Sequence, residues 1–304
     1  MSIDRRSPGI LEPTEYNKES EILYGLPSIV RFCQKCVISN QRPNSTVEYK
    51  KTDKTKQETI GFDNEGVCDA CRYHEIKEKQ IDWGSREGQL VDLLEKHRRS
   101  DGGYDVIVPG SGGKDSAYTS HVLKYKYGMN PLTVTWAPHK YTEIGWKNFE
   151  NWIHVGGMDN ILFTPNGRLH RYLTQQAFLN LFHPFQPFIV GQRIIGPLMA
   201  EKFGVKLVMY GENQAEYGNN PEENYKPTMD RKFFSVSEPE SMVLGGRLVR
   251  DIISEGEYNL NDFAPYIPLS AENLERKDIE VHYLGYYHKW DPQECYYYAV
   301  ENTS

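Results

Sequence analysis

The chain has 304 residues and a formal net charge of −7, with 38% hydrophobic and 25% charged residues, an ordinary composition for a globular protein. It contains no apolar run of roughly 18 residues, and its N-terminus lacks an apolar stretch followed by a small-residue cleavage site, so we expect neither a membrane span nor a signal peptide. For the same reason we expect a cytoplasmic protein. The negative net charge argues against a large nucleic-acid-binding surface.

Four of the five cysteines form two CxxC pairs in the first quarter of the chain. The pairs are Cys33 with Cys36 and Cys68 with Cys71, and the polar segment between them is predicted to be a solvated loop or hairpin. Two thiolates at this spacing can bind one side of a tetrahedral zinc ion, and a second pair completes the ligands. We therefore predict a structural zinc site, with free buried thiols or a redox pair as the alternatives.

The rest of the chain is interpreted as an α/β domain. Residues 1–30 are expected to be a loose arm, 31–100 the zinc module with a linking helix over 73–100, and 101–304 one domain with a C-terminal extension. The predicted strands are 104–109, 132–136, 160–164 and 205–210, and the predicted helices are 114–127, 143–155, 169–182, 191–203, 246–254 and 271–277. Strands that alternate with helices predict a parallel sheet with helices on both faces.

The strongest functional signal is the hexapeptide SGGKDS at 111–116, directly after the first predicted strand and directly before a helix. A helix N-terminus presents unpaired N–H groups and a partial positive charge. Gly112 and Gly113 let the backbone approach an anion closely. The segment therefore predicts a phosphate-binding loop, with a glycine-rich turn that holds no ligand as the alternative.

The polar side chains of the loop suit the same task. Ser111 and Ser116 offer hydroxyl donors, Lys114 adds a cation, and Asp115 can hold a magnesium ion that bridges phosphates. The loop is not a Walker A motif, because Val108 stands where that motif needs glycine and an aspartate follows the lysine.

SGGKDS after a first strand resembles the PP-loop of the ATP-pyrophosphatase superfamily, whose fold is adenine nucleotide α-hydrolase-like and Rossmann-like. The resemblance implies that ATP is split between its α- and β-phosphates. In the related folds the end of the second strand lies near adenine, so Trp136 and Ala137 are expected at the base. Gly211, after the fourth strand, is a further expected nucleotide contact.

A closer resemblance covers roughly residues 31–303. The two CxxC pairs, the GVCxxC string at 66–71, the IDW string at 81–83 and SGGKDS resemble the N-acetyl sugar amidotransferase family of surface-polysaccharide biosynthesis. The resemblance continues through the segments 142–167, 183–192, 210–219 and 284–303.

This resemblance implies an amidotransferase. ATP would adenylate the N-acetyl oxygen of an amino sugar, a nucleotide-linked uronic acid or a nonulosonic acid, and ammonia would displace AMP to give an acetamidino group in O-antigen of lipopolysaccharide or another surface glycan. The implied cofactors are ATP, Mg²⁺ and structural Zn²⁺. The implied partners are a glutaminase subunit and a cyclase-like, ammonia-channelling subunit, both resembling histidine-biosynthesis proteins.

Polar residues near the carboxyl ends of the strands are candidates for the acceptor site. Glu212, Asn213 and Glu216 follow the fourth strand, at the edge where open α/β sheets bind ligands. We predict catalytic roles for Glu212 and Asn213 and a substrate contact for Glu216, with a polar capping loop as the alternative. The predicted sugar contacts, for which a structural role is the alternative, are His183, Gln186 and Gln192.

Two other functions remain open at the level of the sequence. A tRNA-modifying, thiolating PP-loop enzyme also combines zinc-binding cysteines with this loop. It predicts a basic groove and a working cysteine, whereas the net charge is negative and the lone Cys295 is more typical of a small buried apolar residue. An ATP-binding zinc scaffold without turnover is the second alternative, and the intact Lys114 and Asp115 argue against it.

Overall fold

The structure is a computed structural model that describes residues 25–213, 216 and 225–303. Most of the expected N-terminal arm therefore lies outside the described residues. The chain divides into two compact units. The first, here called the cysteine unit, comprises Met1–Thr46, Asp53–Asp82 and Asn213–Lys226, and the second, here called the sheet unit, comprises Val47–Thr52, Trp83–Glu212 and Pro227–Ser304. The predicted domain boundaries stay a prediction.

The elements follow in chain order. The helices are α1 (Asp69–Lys79), α2 (Trp83–His97), α3 (Lys114–His121), α4 (Glu143–His154), α5 (Gly167–Leu181), α6 (Gln186–Phe203), α7 (Val249–Ser254), α8 (Ala271–Lys277), α9 (Leu284–Tyr287) and α10 (Pro292–Thr303). The strands are β1 (Val106–Pro109), β2 (Pro131–Trp136), β3 (Asp159–Phe163), β4 (Leu207–Tyr210), β5 (Val243–Leu244), β6 (Arg247–Leu248) and β7 (Glu280–Tyr283). Short 3₁₀ helices span Glu48–Lys50, Arg231–Phe233, Pro239–Ser241 and Leu260–Tyr266.

Five strands form one parallel sheet in the order β3-β2-β1-β4-β7. The chain builds outward from β1 through β2 to β3, and then returns to place β4 on the other side of β1. The strand order therefore reverses between β1 and β4. Open α/β sheets bind ligands beyond the carboxyl ends of the strands at such a reversal.

Alternate residues of the central strands face opposite helical layers. Ile107 belongs to the core cluster that contains residues of α5 and α6. Its neighbours Val106 and Val108 belong to a different cluster, together with Leu90 and Leu94 of α2. Because side chains alternate along a strand, each face of the sheet is covered by its own layer. The predicted α/β fold with a parallel sheet and helices on both faces is confirmed.

Three details of the secondary structure differ from the sequence-based expectation. The single helix over 73–100 is wrong, since the chain forms α1 and α2 with a break at 80–82. The helix predicted over 114–127 is α-helical only to His121 and continues as a π-helical turn over Val122–Lys126. Beyond residue 212 the sequence analysis missed the edge strand β7 and the last helix, α10.

The long segment between the cysteine pairs contributes to the sheet unit. Residues 47–52 of this segment belong to the sheet unit, where Tyr49 is buried. Its hydroxyl group donates to the carbonyl oxygens of Lys232 and Ser235, at 2.6 Å from the latter. The flanking residues pair as an antiparallel hairpin, in which the amide N of Asn44 donates to Glu58 O at 2.8 Å. The segment expected to be a solvated loop or hairpin is therefore a hairpin that is partly buried, since Tyr49 lies in the core of the sheet unit.

Gly191 of α6 provides a test of the packing against the sheet. A Cβ at this position would lie 2.2 Å from Cε2 of Trp136, whose side chain is 3% exposed and has little room to move. We expect Gly191→Ala to lower the free energy of unfolding by about 1–3 kcal/mol, measured by urea denaturation. The matched control is Gly88→Ala in α2, where no described atom lies within 4 Å of the new Cβ. Gly88→Ala should raise the free energy of unfolding by about 0.5–1 kcal/mol. Equal effects of the two substitutions would contradict the close packing of Gly191 against Trp136.

Candidate nucleotide-binding loop and metal centre

The loop at 111–116 connects the end of β1 to the first turn of α3. Gly110 continues the strand ladder, with its amide N donating to Val134 O at 2.9 Å. Gly112 has φ +81°, and a Cβ there would lie 2.7 Å from Phe149 Cα and 3.1 Å from Asn148 O. Both the positive φ and the close contact with the α4 backbone require glycine at this position.

The side chains of the loop lie at the start of α3. Gly113 is the extended N-cap residue of this helix, and Ser116 Oγ donates to its carbonyl oxygen at 3.0 Å. Nζ of Lys114 lies 2.6 and 2.8 Å from the two carboxylate oxygens of Asp115, and both side chains are about one-third exposed. The loop thus offers backbone N–H groups at a helix N-terminus, one accessible cation and one accessible carboxylate. These are the groups that an Mg²⁺–polyphosphate requires.

The reversal of strand order lies directly beside this loop. Gly211 follows β4, and a Cβ there would meet Thr119 Oγ1 at 2.8 Å and Trp290 at 2.9 Å. Glycine therefore lets the end of β4 pack directly on α3. The loop, the end of β1 and the end of β4 lie together in the sheet unit. The predicted contact of Gly211 with the nucleotide stays a prediction.

The two residues expected at the adenine base are core residues in this structure. Trp136 ends β2 and packs against Phe163 and Tyr266, with ring centroids 5.1 and 5.3 Å away. Ala137 is 7% exposed, and its amide N donates to Phe163 O at 2.9 Å. Their roles as nucleotide contacts stay predictions.

The three candidate acceptor-site residues that follow β4 are divided between the two units. Glu212 belongs to the sheet unit and is half-buried, while Asn213 and Glu216 belong to the cysteine unit. Asn213 is buried there, and Glu216 forms an ion pair with Lys77, with 2.7 Å between Oε2 and Nζ. The proposed catalytic and substrate roles of these three residues stay predictions.

The predicted sugar contacts differ in how their side chains are used. Gln186 is fully buried, and its amide donates to Glu48 O at 2.8 Å and Val243 O at 3.0 Å. Its side-chain oxygen accepts from Gly245 N at 3.0 Å, so the side chain links three separate backbone segments. His183 Nε2 lies 3.7 Å from a carboxylate oxygen of Glu48. Gln192 is exposed on α6 and accessible to a ligand. Sugar binding by His183, Gln186 and Gln192 stays a prediction.

The four paired cysteines converge on one point in the cysteine unit. Their sulfur atoms all lie within 4.8 Å of one another, with 3.9 Å between Cys33 and Cys71 and 3.7 Å between Cys36 and Cys68. Tetrahedral zinc with sulfur ligands needs sulfur atoms about 3.8 Å apart, so the residues fit the ion. All four positions would be filled by protein, which corresponds to a structural site.

Local structure explains how the cysteines meet. Cys68 is the N-cap of α1, so Cys71 lies in the first helical turn, where the helix dipole favours a thiolate. The backbone N–H groups of Lys35 and Cys68 each donate to Cys33 Sγ at 3.3 Å. Burial alone would raise the pKa of Cys33, but these donors outweigh it and lower the pKa to about 7. Burial and the neighbouring thiols raise the pKa values of Cys68 and Cys71, so a bound metal ion would be needed to hold all four sulfur atoms as thiolates.

Cys295 of α10 lies in the core of the sheet unit and is 2% exposed. Burial raises the pKa of its thiol to about 12, and the carboxylate of Asp115 adds to the shift. A raised pKa leaves little thiolate at neutral pH, so we expect native Cys295 to resist a disulfide reagent such as DTNB. Native wild-type protein and Cys295→Ala should release equal amounts of thionitrobenzoate, and the two should differ by one thiol after unfolding with chelator. A wild-type excess under native conditions would revive the sulfur-transfer alternative.

Among the described helices, none has the length and apolarity that a bilayer span requires. Neither a family model nor a curated protein matches the chain.

Solved structures with weak similarity do match. NH3-dependent NAD synthetase from Campylobacter jejuni is 13% identical, with coverage of 73% of this chain and 94% of that chain and a TM-score of 0.36. NAD+ synthetase from Burkholderia pseudomallei is 13% identical, with coverage of 77% and 93% and a TM-score of 0.32. A predicted subunit of tRNA methyltransferase from Methanocaldococcus jannaschii is 14% identical, with coverage of 64% and 75% and a TM-score of 0.32. Similarity at this level assigns neither a family nor an activity to the chain.

Proposed function

We propose that this chain is an ATP-dependent ligase that converts the N-acetyl group of an amino sugar into an acetamidino group, with release of AMP and pyrophosphate. The observation that carries the proposal is the SGGKDS loop, placed between β1 and α3 beside the reversal of strand order. The acceptor we propose is a nucleotide-linked uronic acid or a nonulosonic acid of surface-glycan biosynthesis, as the sequence resemblance implies.

The proposed reaction has two steps. The amide oxygen of the N-acetyl group attacks the α-phosphorus of ATP and pyrophosphate leaves, which gives an O-adenylated imidate and releases the amide proton. Ammonia then adds to the imidate carbon, and AMP leaves with the former amide oxygen while the nitrogen loses a proton. Adenylation is needed because an amide oxygen is otherwise a poor leaving group.

The residues of the loop would position and neutralise the polyphosphate. Lys114 would leave its contact with Asp115 to bind phosphate oxygens, and Asp115 would then be free to hold Mg²⁺. Gly112 and Gly113 would expose the backbone N–H groups at the start of α3 to the same oxygens. Glu212 and Asn213 remain our proposed catalytic residues on the acceptor side.

We also propose that a separate glutaminase subunit supplies the ammonia through a cyclase-like partner. Within this chain Cys295 is buried and its pKa is raised, which does not suit a glutaminase nucleophile. The zinc site would hold the cysteine unit together and take no part in the chemistry.

The test is to measure AMP and pyrophosphate release from ATP–Mg²⁺ with high ammonium, across UDP- and CMP-linked N-acetylated sugars. Mass spectrometry of the sugar product should show the replacement of one oxygen by NH, formed in step with AMP. ATP turnover with no sugar product, together with protection of the protein by tRNA, would contradict the proposal and favour the modifying-enzyme alternative.

A further inference from the structure

A group of aromatic residues lies beyond the carboxyl ends of β2 and β3 in the sheet unit. Trp136 is the last residue of β2, and His139 follows it in the next loop. His170 of α5 lies beside both, with ring centroids 6.4 Å from Trp136 and 4.8 Å from His139. Tyr266 completes the group, and we call these four residues the histidine cluster. The strands are parallel, so the cluster and the phosphate loop lie at the same edge of the sheet, on neighbouring strands.

Two polar ring atoms in this cluster are buried without a hydrogen-bond partner in the described part of the chain. His170 is 7% exposed, and its Nδ1 lies 2.7 Å from the hydroxyl oxygen of Tyr266, while its Nε2 has no partner. Trp136 is 3% exposed, and its Nε1 likewise has none. Buried polar atoms are nearly always satisfied in folded proteins, and leaving one unsatisfied is costly. Two such atoms on adjacent rings therefore indicate a place where a ligand binds.

The chemistry of the cluster defines the kind of ligand. Burial, with a further contribution from His139, lowers the pKa of His170 to about 4, so its imidazole is neutral at neutral pH. The indole N–H of Trp136 can only donate, whereas His170 Nε2 accepts or donates according to its tautomer. A secondary amide has a partner for each atom in either tautomer, since its carbonyl oxygen accepts and its N–H group donates. A carboxylate or a phosphate would find no compensating positive charge on these rings.

The outer side of the cluster is accessible. His139 is exposed, and its ring lies 5.6 Å from that of Phe185, which is 56% exposed, and 5.5 Å from that of Phe188. Aromatic rings therefore lie on the exposed side of His170. A small polar group that carries a methyl group could place the methyl group against these rings and its polar atoms against the buried nitrogens.

We propose that the histidine cluster is the subsite that receives the N-acetyl group of the acceptor, with Trp136 and His170 as its hydrogen-bonding partners. This inference rests on the proposed function and adds a location and two specificity-determining residues to it. The low exposure of both rings favours a small acetamido group over a purine base, which would need a wide slot. The assignment also gives Trp136 a role different from the adenine contact expected from the sequence.

The test uses substitutions that each remove one of the two nitrogens. In His170→Asn the side-chain amide keeps a polar atom near the position of Nδ1, which preserves the contact with Tyr266, and removes Nε2. The matched control is His282→Asn, at another buried histidine whose Nδ1 lies 2.8 Å from a tyrosine hydroxyl, that of Tyr287. A second variant, Trp136→Phe, removes the indole N–H and keeps an aromatic ring. Thermal unfolding checks that all three variants fold.

The measurement is saturation-transfer NMR with UDP-N-acetylglucosamine as the probe, ATP–Mg²⁺ as the second ligand and UDP-glucose as the acetamido-free comparison. We expect saturation of the acetyl methyl signal in wild type, and an affinity for UDP-N-acetylglucosamine about tenfold lower in His170→Asn and Trp136→Phe. The adenine signals of ATP should be unchanged in both variants. His282→Asn should behave as wild type for both ligands.

Three outcomes would overturn the subsite. Loss of the adenine signals in His170→Asn would assign the cluster to the base of ATP, and an unchanged acetyl signal in both variants would mean that a buried water satisfies the two nitrogens. Equal binding of UDP-glucose and UDP-N-acetylglucosamine by wild type would show that the acetamido group is not recognised. Failure of the proposed function gives a different result, because wild type would then show no ATP signal or would bind ATP without forming AMP.

Discussion

Replacing Lys114 by methionine should reduce the rate of sugar-dependent pyrophosphate release by about 10²–10³-fold. The reason is that Lys114 is the accessible cation of the phosphate loop, held at the start of α3 at 2.6 Å from Asp115. Charge that develops on the leaving pyrophosphate would lose this partner in a site built to hold it. The side chain is about one-third exposed, so methionine should fit without a loss of stability. The measurement is a steady-state assay of pyrophosphate release, with thermal unfolding as the check on the fold.

The matched control is Lys206→Met. Lys206 also pairs with an aspartate, at 3.3 Å from Asp278, but both side chains are more than half exposed and the lysine precedes β4 at the opposite edge of the sheet. An exposed pair of this kind contributes little to stability, so the control should retain wild-type activity. A Lys114→Met enzyme as active as the control would remove the loop from the reaction and favour the scaffold alternative.

The sequence predicted those parts of the fold whose signal lies in a short run of consecutive residues. Central strands of a parallel sheet are buried on both faces, so β1 and β4 appear as short apolar runs between helices. The edge strand β7 reads Glu-Val-His-Tyr, with polar residues among apolar ones, and only its pairing with β4 makes it a strand. The break between α1 and α2 was missed because helical propensity continues through 80–82, whereas the tertiary fold assigns the two helices to different units.

The difference between local and long-range signals also explains which parts of the candidate site could be predicted. The phosphate loop was predictable because its six residues are contiguous and directly follow a strand. The hydrogen bonds of Gln186 could not be predicted, because its partners, Glu48, Val243 and Gly245, come from distant parts of the chain. The histidine cluster likewise has no sequence signal, since His139, His170 and Tyr266 belong to separate elements. A pattern search could have noted a histidine just after the second strand, but its stacking on His170 follows only from the packing of α5.

Removing zinc should strongly destabilise the cysteine unit, without a direct effect on the chemical step. The four sulfur atoms lie within 4.8 Å of one another, and structural zinc in such sites contributes roughly 10–16 kcal/mol of apparent binding free energy. Without the ion no bond links the four sulfur atoms, so the apo cysteine unit should lose its structure. We expect purified protein to contain one zinc ion per chain, and we expect strong chelation to abolish the protection of residues 31–46 and 53–79 in hydrogen–deuterium exchange.

Serine in place of the fully buried Cys68 should reproduce the effect of chelation, because a hydroxyl is a weak zinc ligand. Cys295→Ala is the matched control, since it removes the one cysteine outside the cluster and should keep the full zinc content by elemental analysis. In the Cys68→Ser protein the sheet unit should keep its exchange protection, because its core clusters contain none of the four ligands. Full zinc occupancy in this variant would contradict the four-cysteine site, and collapse of both units together would show that zinc stabilises the whole chain.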